Sequence, residues 1–268
     1  MTGASEKLRP HLARMPGTLS VAIITKNEEA SLGRTLASVR WADEVVVVDC
    51  GSTDRTAEIA GQFGAKFCVE EWKGFGAQKN SAIRKCSSDW VLALDADEEV
   101  SAELAAAIQD LIHGQPAFNA YFLSRRNLFL GRWIRHGGYY PDPKLRLFRR
   151  GSAEFESSVV HETISCSSPA GRLQGDLIHH AYPTLDSYIE HMNRYSSLGA
   201  TQVVARGKTS RSIIAFFWNV WIIPVATFKY NYFLRLGFLD GRAGFLLHLY
   251  HSAYVSWKYA KAWELNRA

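Results

Sequence analysis

The stretch from Trp90 to Glu99, WVLALDADEE, brings four carboxylates to the end of an apolar run. Trp90 to Leu94 has the continuous hydrophobicity of a buried strand, so Asp95, Asp97, Glu98 and Glu99 lie where that strand surfaces. Two aspartates one residue apart at a strand end can face a single divalent cation. A hard cation such as Mg²⁺ takes oxygen ligands and shares them with substrate phosphates. The competing reading is a solvated turn leading into an acidic first helical turn, because carboxylates are favoured at a helix N-terminus. A DxD pattern alone does not decide between the two.

The surrounding elements favour the first reading. Leu19 to Ile24 is a short apolar run followed by Thr25-Lys26-Asn27-Glu28-Glu29, a strand ending in a polar loop. Leu32, Leu36 and Val39 then mark one face of a helix. Val45 to Val48 has the β-branched continuity of a strand covered on both faces, and it ends at Asp49-Cys50-Gly51-Ser52-Thr53-Asp54. A helix carrying Ala57, Ile59, Ala60 and Phe63, a strand near Ala65 to Val69, a helix from about Gly76 to Cys86 and the strand at Trp90 complete a β-α-β-α-β-α-β series. Such alternation predicts an α/β fold with a mainly parallel central sheet and helices on both faces. Ligands of open sheets bind beyond the carboxyl ends of the strands, and TKNEE, DCGSTD and DADEE all fall on that rim. After a helix with Leu104, Ile108, Leu111 and Ile112 on one face, the pattern changes to short strands at Tyr121 to Ser124, Leu145 to Phe148, Val159 to His161 and Leu177 to His179. The intervening arginines, glycines and tyrosines suit an acceptor cleft. A long helix from about Leu185 to Ala205 follows.

At 268 residues the chain can bury a core without disulfides, and its four cysteines are too scattered for a disulfide framework or a zinc site. The net charge of +5 is concentrated late: from Thr201 onward nine Lys or Arg face only Asp240 and Glu264. That balance predicts an anionic membrane surface, and not nucleic acid, as partner. Residues 1–17 contain no apolar run of signal-peptide length and read as a loose tail of a protein that is not secreted. Residues 18–208 read as the catalytic domain and 209–268 as a C-terminal helical appendage. In that appendage Ile213 to Phe228 is apolar but shorter than a spanning helix and contains Asn219 and Pro224, so it is expected to lie in the membrane interface. A buried helical hairpin or a dimer contact is the alternative, and the oligomeric state stays open.

The ordered set TKNEE, VVVVDCGSTDRT, QKN and LDADEE resembles the family 2 glycosyltransferases of the GT-A fold. More narrowly, it is similar to bacterial β-1,4-glucosyltransferases of lipopolysaccharide and lipooligosaccharide core synthesis. The resemblance implies a nucleotide-sugar donor, expected to be UDP-glucose, a divalent metal (Mg²⁺ or Mn²⁺) and an inverting transfer to a lipid-linked saccharide at the cytoplasmic face of the inner membrane. It places Thr25, Asn27 and Glu28 along the nucleoside and Asp49 at base or ribose. Asp54 is either a donor contact or a brace of its loop. Lys79 is either a diphosphate contact or an exposed helical lysine, Asp97 is a metal ligand and Asp95 reaches ribose or metal. Glu98 and Glu99 are expected to open the following helix. Cys50 departs from a pattern that often has a second aspartate there. The base implied for the acceptor hydroxyl is Glu162, with Asp142 and Glu156 as competitors and a surface salt bridge as its ordinary alternative. His161 and the pair His179-His180 are ambiguous, since a strand sends the two adjacent side chains to opposite faces. A nucleotidyltransferase would carry a Gly-rich basic loop after its first strand, where this chain has TKNEE. A non-catalytic carbohydrate- or lipid-binding scaffold would have no need of Asp49, Asp95 and Asp97.

Overall fold

A computed structural model describes residues 17–156, 163–207, 210 and 212–267. Most of the expected tail, the expected strand Val159 to His161 and Glu162 lie outside the described residues. The first half follows the expected alternation: β1 (Leu19–Thr25), α1 (Leu32–Ser38), β2 (Glu44–Asp49), α2 (Thr56–Gln62), β3 (Lys66–Val69), α3 (Phe75–Arg84) and β4 (Trp90–Asp95). These strands pair in parallel in the order β3-β2-β1-β4. Alternate side chains of each strand face opposite layers. Leu19, Val21, Ile23, Leu92 and Leu94 pack under Leu32, Leu36 and Ala60 of α1 and α2. Ala22, Val46, Val48, Val91 and Ala93 pack on the other face with Ala82 and Ile83 of α3. The register sets Thr25 beside Asp49 and Ile24 beside Asp95, so three strands end together on one rim.

The second half extends the same sheet. β5 (Glu98–Val100) precedes α4 (Ala102–His113), which is followed by β6 (Ala120–Phe129), β7 (Arg132–Trp133) and β8 (Asp142–Arg149). A small hairpin, β9 (Ala153–Phe155) with β10 (Ile164–Cys166), and the long strand β11 (Gly171–Tyr182) come next. The sheet order is β3-β2-β1-β4-β8-β6-β11-β5, with β7 added on β6. β8 runs antiparallel to both neighbours and β5 antiparallel to β11, so the sheet is mixed where the alternation alone suggested mainly parallel. The short strands expected at Tyr121, Leu145 and Leu177 are the apolar centres of β6, β8 and β11, whose polar ends carry no hydrophobic signal. β4 and β5 are two residues apart in the chain yet separated by three strands along the hydrogen-bonded path. The sheet therefore curls back, and its inner surface faces the DxD turn.

One expectation changes here. Glu98 and Glu99 belong to β5 and do not open a helix, because β11 offers an unpaired edge to that segment. The helix starts later, at Ala102, where the Ser101 hydroxyl accepts the Leu104 N–H at 3.2 Å.

The C-terminal part begins with α5 (Leu185–Ala205), as expected, capped by a reciprocal Thr184–Ser187 box. A continuous 22-residue helix, Ile213–Leu234, contains α6 (Ile213–Phe217) and α7 (Ile223–Lys229) joined through π-helical turns. It is longer than the apolar run implied and is long and apolar enough to cross a membrane by length and composition. Pro224 cannot donate to the Val220 carbonyl one turn back, and the Ser256 hydroxyl supplies that bond at 2.8 Å. Ser256 lies on α8 (Gly241–Leu265), which packs along α5 with Lys261 Nζ bonded to Asn193, Ser196 and Ser197. Thus α8 is integrated with the domain, joining a core of Phe129, Ile134, Tyr188 and Leu247. The Ile213–Leu234 helix is not: Ile214 is 79% exposed and Trp221 66%.

Gly175 marks the closest backbone approach in the second half. It has φ +88° at a register shift of β11, and a Cβ there would collide with the backbone of Leu104 in α4. Gly175→Ala is expected to destabilise the protein by about 2 kcal/mol or more through strained φ and steric overlap, read as a lowered Tm. An unchanged melting curve would show that α4 can move away.

Candidate active site

The first two loops of the rim are joined by their own polar groups. Asn27 adopts a left-handed conformation (φ 56°), which asparagine tolerates better than most residues. Its N–H donates to Ser52 Oγ at 2.7 Å and its side-chain oxygen accepts the Thr53 N–H at 2.9 Å. The Glu28 N–H donates to Thr56 Oγ1 at 2.8 Å. Asp54 accepts the Glu29 N–H at 3.1 Å through one oxygen and both Thr56 groups through the other, which places it as a brace between loops.

Asp49 is buried and similarly occupied. Its carboxylate accepts Thr25 Oγ1 at 3.0 Å, Ser52 Oγ at 2.5 Å, the Gly51 N–H at 2.8 Å and the Ser52 N–H at 2.7 Å. Two carboxylate oxygens offer about four acceptor sites, and all four are used within the loop. Thr25, Asn27, Asp49 and Asp54 therefore shape the rim from beneath. Glu28 is different. Burial pushes its carboxyl up to about 7, with the charges of Asp97, Asp54 and Asp95 adding to the effect.

The DxD turn is fixed from three sides. Thr35 Oγ1 of α1 donates to the Ala96 carbonyl at 2.7 Å, and Glu98 Oε2 accepts the Asp95 N–H at 3.0 Å. Asp95 Oδ1 pairs with Lys79 Nζ at 2.7 Å and its Oδ2 with Arg146 Nη2 at 2.5 Å. Burial opposes ionisation of Asp95, but the Arg146 and Lys79 charges overcome it and hold the carboxyl well below the usual range. Lys79 is accordingly no exposed helical lysine: it is 8% exposed and its ammonium lies 5.1 Å from the Phe155 ring centroid. Arg146 also meets Glu98, which is fully buried, and Glu98 meets Arg125, which in turn clasps Asp142. The result is one chain of alternating charges from α3 to β8 and β6.

Asp97 has a different neighbour. His179 Nε2 stands 3.3 Å from Asp97 Oδ2, while His180 on the opposite face of β11 meets Glu99 at 3.0 Å. His179 Nδ1 lies 2.8 Å from Asn127 Oδ1. The Asn127 amide nitrogen points at two acceptors, the Tyr139 carbonyl and Asp142, which fixes its oxygen toward His179. Nδ1 therefore carries a proton toward Asn127, and Nε2 points at the Asp97 carboxylate; burial opposes ionisation of Asp97, but this His179 contact holds its carboxyl below the usual range. A carboxylate and an imidazole 3.3 Å apart can hold a cation together once Nε2 is unprotonated. Among the described residues no cluster of three or more such ligands forms, so other oxygens must complete any coordination sphere.

Asp142 is a weak candidate for the base. Despite burial, Arg125 and Lys144 draw its carboxyl below the usual range, and such a group is a poor proton acceptor. Glu156 is exposed at the root of the β9–β10 hairpin, where its N–H donates to the Thr163 carbonyl at 2.9 Å. Asn80 of α3 anchors that hairpin with two 2.8 Å bonds to the Phe155 backbone. Sequence reading missed Thr35, Asn80, Arg125, Asn127 and Arg146, because none lies in a recognisable motif beyond the asparagine of QKN. It also missed His191 of α5, which stacks on Tyr195 at 4.2 Å and whose ring burial drives down to about 4.

The raised Glu28 pKa has a sign that can be measured. Between the ordinary carboxyl value of 4.5 and about 7 the folded protein holds a proton that the unfolded chain has released. Stability contributed by the neutral form is lost as pH rises through that window. Glu28→Gln is expected to raise Tm above pH ~7.5 and to have little effect near pH ~5. Equal shifts at both pH values would mean that the carboxyl is not the titrating group.

The glycosyl transferase family 2 sequence model matches residues 20–168. The lipopolysaccharide core biosynthesis glycosyltransferase LpsC of Rhizobium meliloti (strain 1021) is 34% identical over 235 residues, covering 83% of this chain and 82% of that protein. An uncharacterized glycosyltransferase of Rickettsia typhi, RT0209, is 32% identical over 240 residues, 85% of this chain and 80% of its own length. The mannosyltransferase PcManGT from Pyrobaculum calidifontis, solved with GDP-Man and Mn²⁺, shares the fold with a TM-score of 0.52 at 15% identity. That likeness covers 93% of this chain and 88% of PcManGT. A mixed sheet with a DxD turn at its rim, a family match over more than half the chain and near full-length relatives agree: this protein belongs to glycosyltransferase family 2, with a GT-A fold and kinship to lipopolysaccharide core biosynthesis enzymes.

Proposed function

We propose that the protein is a metal-dependent inverting hexosyltransferase that moves a sugar, expected to be glucose from UDP-glucose, onto a lipid-linked core saccharide. The observation that carries this reading is the Asp97–His179 pair, an aspartate oxygen and an imidazole nitrogen 3.3 Å apart at the carboxyl rim of the sheet. We assign those two side chains as the protein ligands of a divalent cation. Asp95 then serves as the ion-paired partner of Lys79 and Arg146 and not as a metal ligand, because both its oxygens are engaged. When bound, the cation supplies positive charge to the leaving diphosphate. Lys79 and Arg146 add fixed positive charge at the same corner. Thr25, Asn27, Asp49 and Asp54 shape the nucleoside loops, and Glu28 lies between them and Asp97.

In the transfer, the acceptor hydroxyl forms a bond to the anomeric carbon as the bond from that carbon to the diphosphate oxygen breaks. Inversion follows from attack on the face opposite the leaving group. Glu162 is assigned to take the hydroxyl proton, since Asp142 is committed to Arg125 and Lys144. The exposed apolar face of the Ile213–Leu234 helix supports peripheral attachment to the cytoplasmic face of the inner membrane, where a lipid-linked acceptor would be met.

Release of UDP from UDP-glucose with Mg²⁺ or Mn²⁺, compared with other nucleotide sugars, tests the reaction. Asp97→Ala and His179→Ala are each expected to lower kcat at least ~100-fold with the fold intact by circular dichroism. Full turnover after chelation would remove the metal from the reading. Glu162→Gln is expected to keep donor affinity while transfer falls by about 10²–10⁴. An unaltered rate would move the base to Glu156.

A further inference from the structure

Two turns on the C-terminal side share an unusual backbone feature. Among the described residues only three non-glycine residues have positive φ: Asn27, Leu130 at 52° and Leu236 at 60°. A leucine in the left-handed region is unfavourable by roughly 1–2 kcal/mol, because its Cβ crowds the following carbonyl. Each thus carries a local conformational cost while leaving part of its side chain in solvent, 37% for Leu130 and 47% for Leu236.

The turns are adjacent. Leu130 and Gly131 form the tip of the β6–β7 hairpin, and the guanidinium of Arg132 lies over Gly241, where a Cβ would come within 3.6 Å of its Nη1. Leu236 opens the turn that leads to Gly241, where Phe238 and Leu239 are exposed as well. Arg235 fills the space beside Gly138, and the Arg135 N–H donates to Asp240 at 3.2 Å. Arg242 follows on the first turn of α8. Arg132, Arg135, Arg235 and Arg242 are exposed, and none is paired with a carboxylate among the described residues. Asp240, the nearest acid, is buried and accepts from the Arg135 and His136 backbone and from the His136 ring. Four like charges are therefore gathered around outward-facing leucines at the start of a 25-residue helix, whose positive end adds to the field. Such an arrangement lacks its anion.

We propose that these two turns form a seat for the headgroup layer of an anionic bilayer. The four arginines meet lipid phosphates while Leu130 and Leu236 enter below them. The seat is distinct from the apolar face of the Ile213–Leu234 helix, though it rests on the reading that the enzyme works at a membrane.

Sedimentation of the full-length protein with phosphatidylcholine vesicles, with and without phosphatidylglycerol, tests it. Wild type is expected to bind the anionic vesicles more tightly, and Arg132→Ser with Arg235→Ser to weaken that binding by roughly fivefold per arginine without changing binding to phosphatidylcholine. Leu130→Asn with Leu236→Asn provides a variant that keeps its fold, since asparagine suits the left-handed region. It is expected to melt no lower than wild type yet to bind both vesicles more weakly. Wild-type affinity of the arginine variant for anionic vesicles overturns the seat alone. Failure of the wild type to bind any vesicle overturns the seat and the membrane reading together, while leaving donor hydrolysis as the separate measure of the transferase reading.

Discussion

Asp95 stands between Lys79 of α3 and Arg146 of β8, and through this ion-paired corner the parallel half of the sheet is tied to the mixed half. The chain of charges continues through Glu98 and Arg125 to Asp142 and Lys144, so one helix and four strands share one electrostatic network. Charges this deep are costly to desolvate, and removing one member leaves its partner uncompensated at about 3–5 kcal/mol. The network is thus an all-or-none feature. It also sets Asp97 apart: with Asp95 and Glu98 paired to fixed cations, Asp97 is the carboxylate of the DxD turn that faces His179.

The rim built by the first two loops follows the same logic with neutral donors. Asp49, Asn27 and Asp54 direct their polar atoms inward at neighbouring backbone, so TKNEE and DCGSTD form one rigid ledge and not two independent loops. Rigid loops lose little entropy when a ligand binds. Glu28, left among like charges with its carboxyl raised, is the group on this ledge most sensitive to any positive charge that arrives.

The C-terminal helices divide two tasks between them. α8 packs on α5 and, with the preceding turn, holds the cleft segment around Gly137: Asp240 binds the Arg135 and His136 backbone, Gly137 donates to the Arg235 carbonyl, and the buried ring of His248 fits against Gly137 and Gly237. The Ile213–Leu234 helix buries one side on α8 and presents the rest outward. The appendage therefore braces the segment between β7 and β8 as well as presenting an exposed apolar surface.

The sequence by itself determined the parallel half, the position of the rim and the family, because local periodicity and contiguous motifs carry those signals. It also marked the long helix of α5 and the unusual character of the C-terminal residues. Only the tertiary structure decided which carboxylates are engaged and which are open. Glu98 was expected to start a helix and is a buried strand residue, because its environment is set by Arg125 and Arg146, 27 and 48 residues away. His179 was one of an undecided pair until the pairing of β11 with β6 set it opposite Asn127 and beside Asp97. Strand register and sheet curl are products of long-range packing, and a residue's charge state follows from the neighbours that packing supplies.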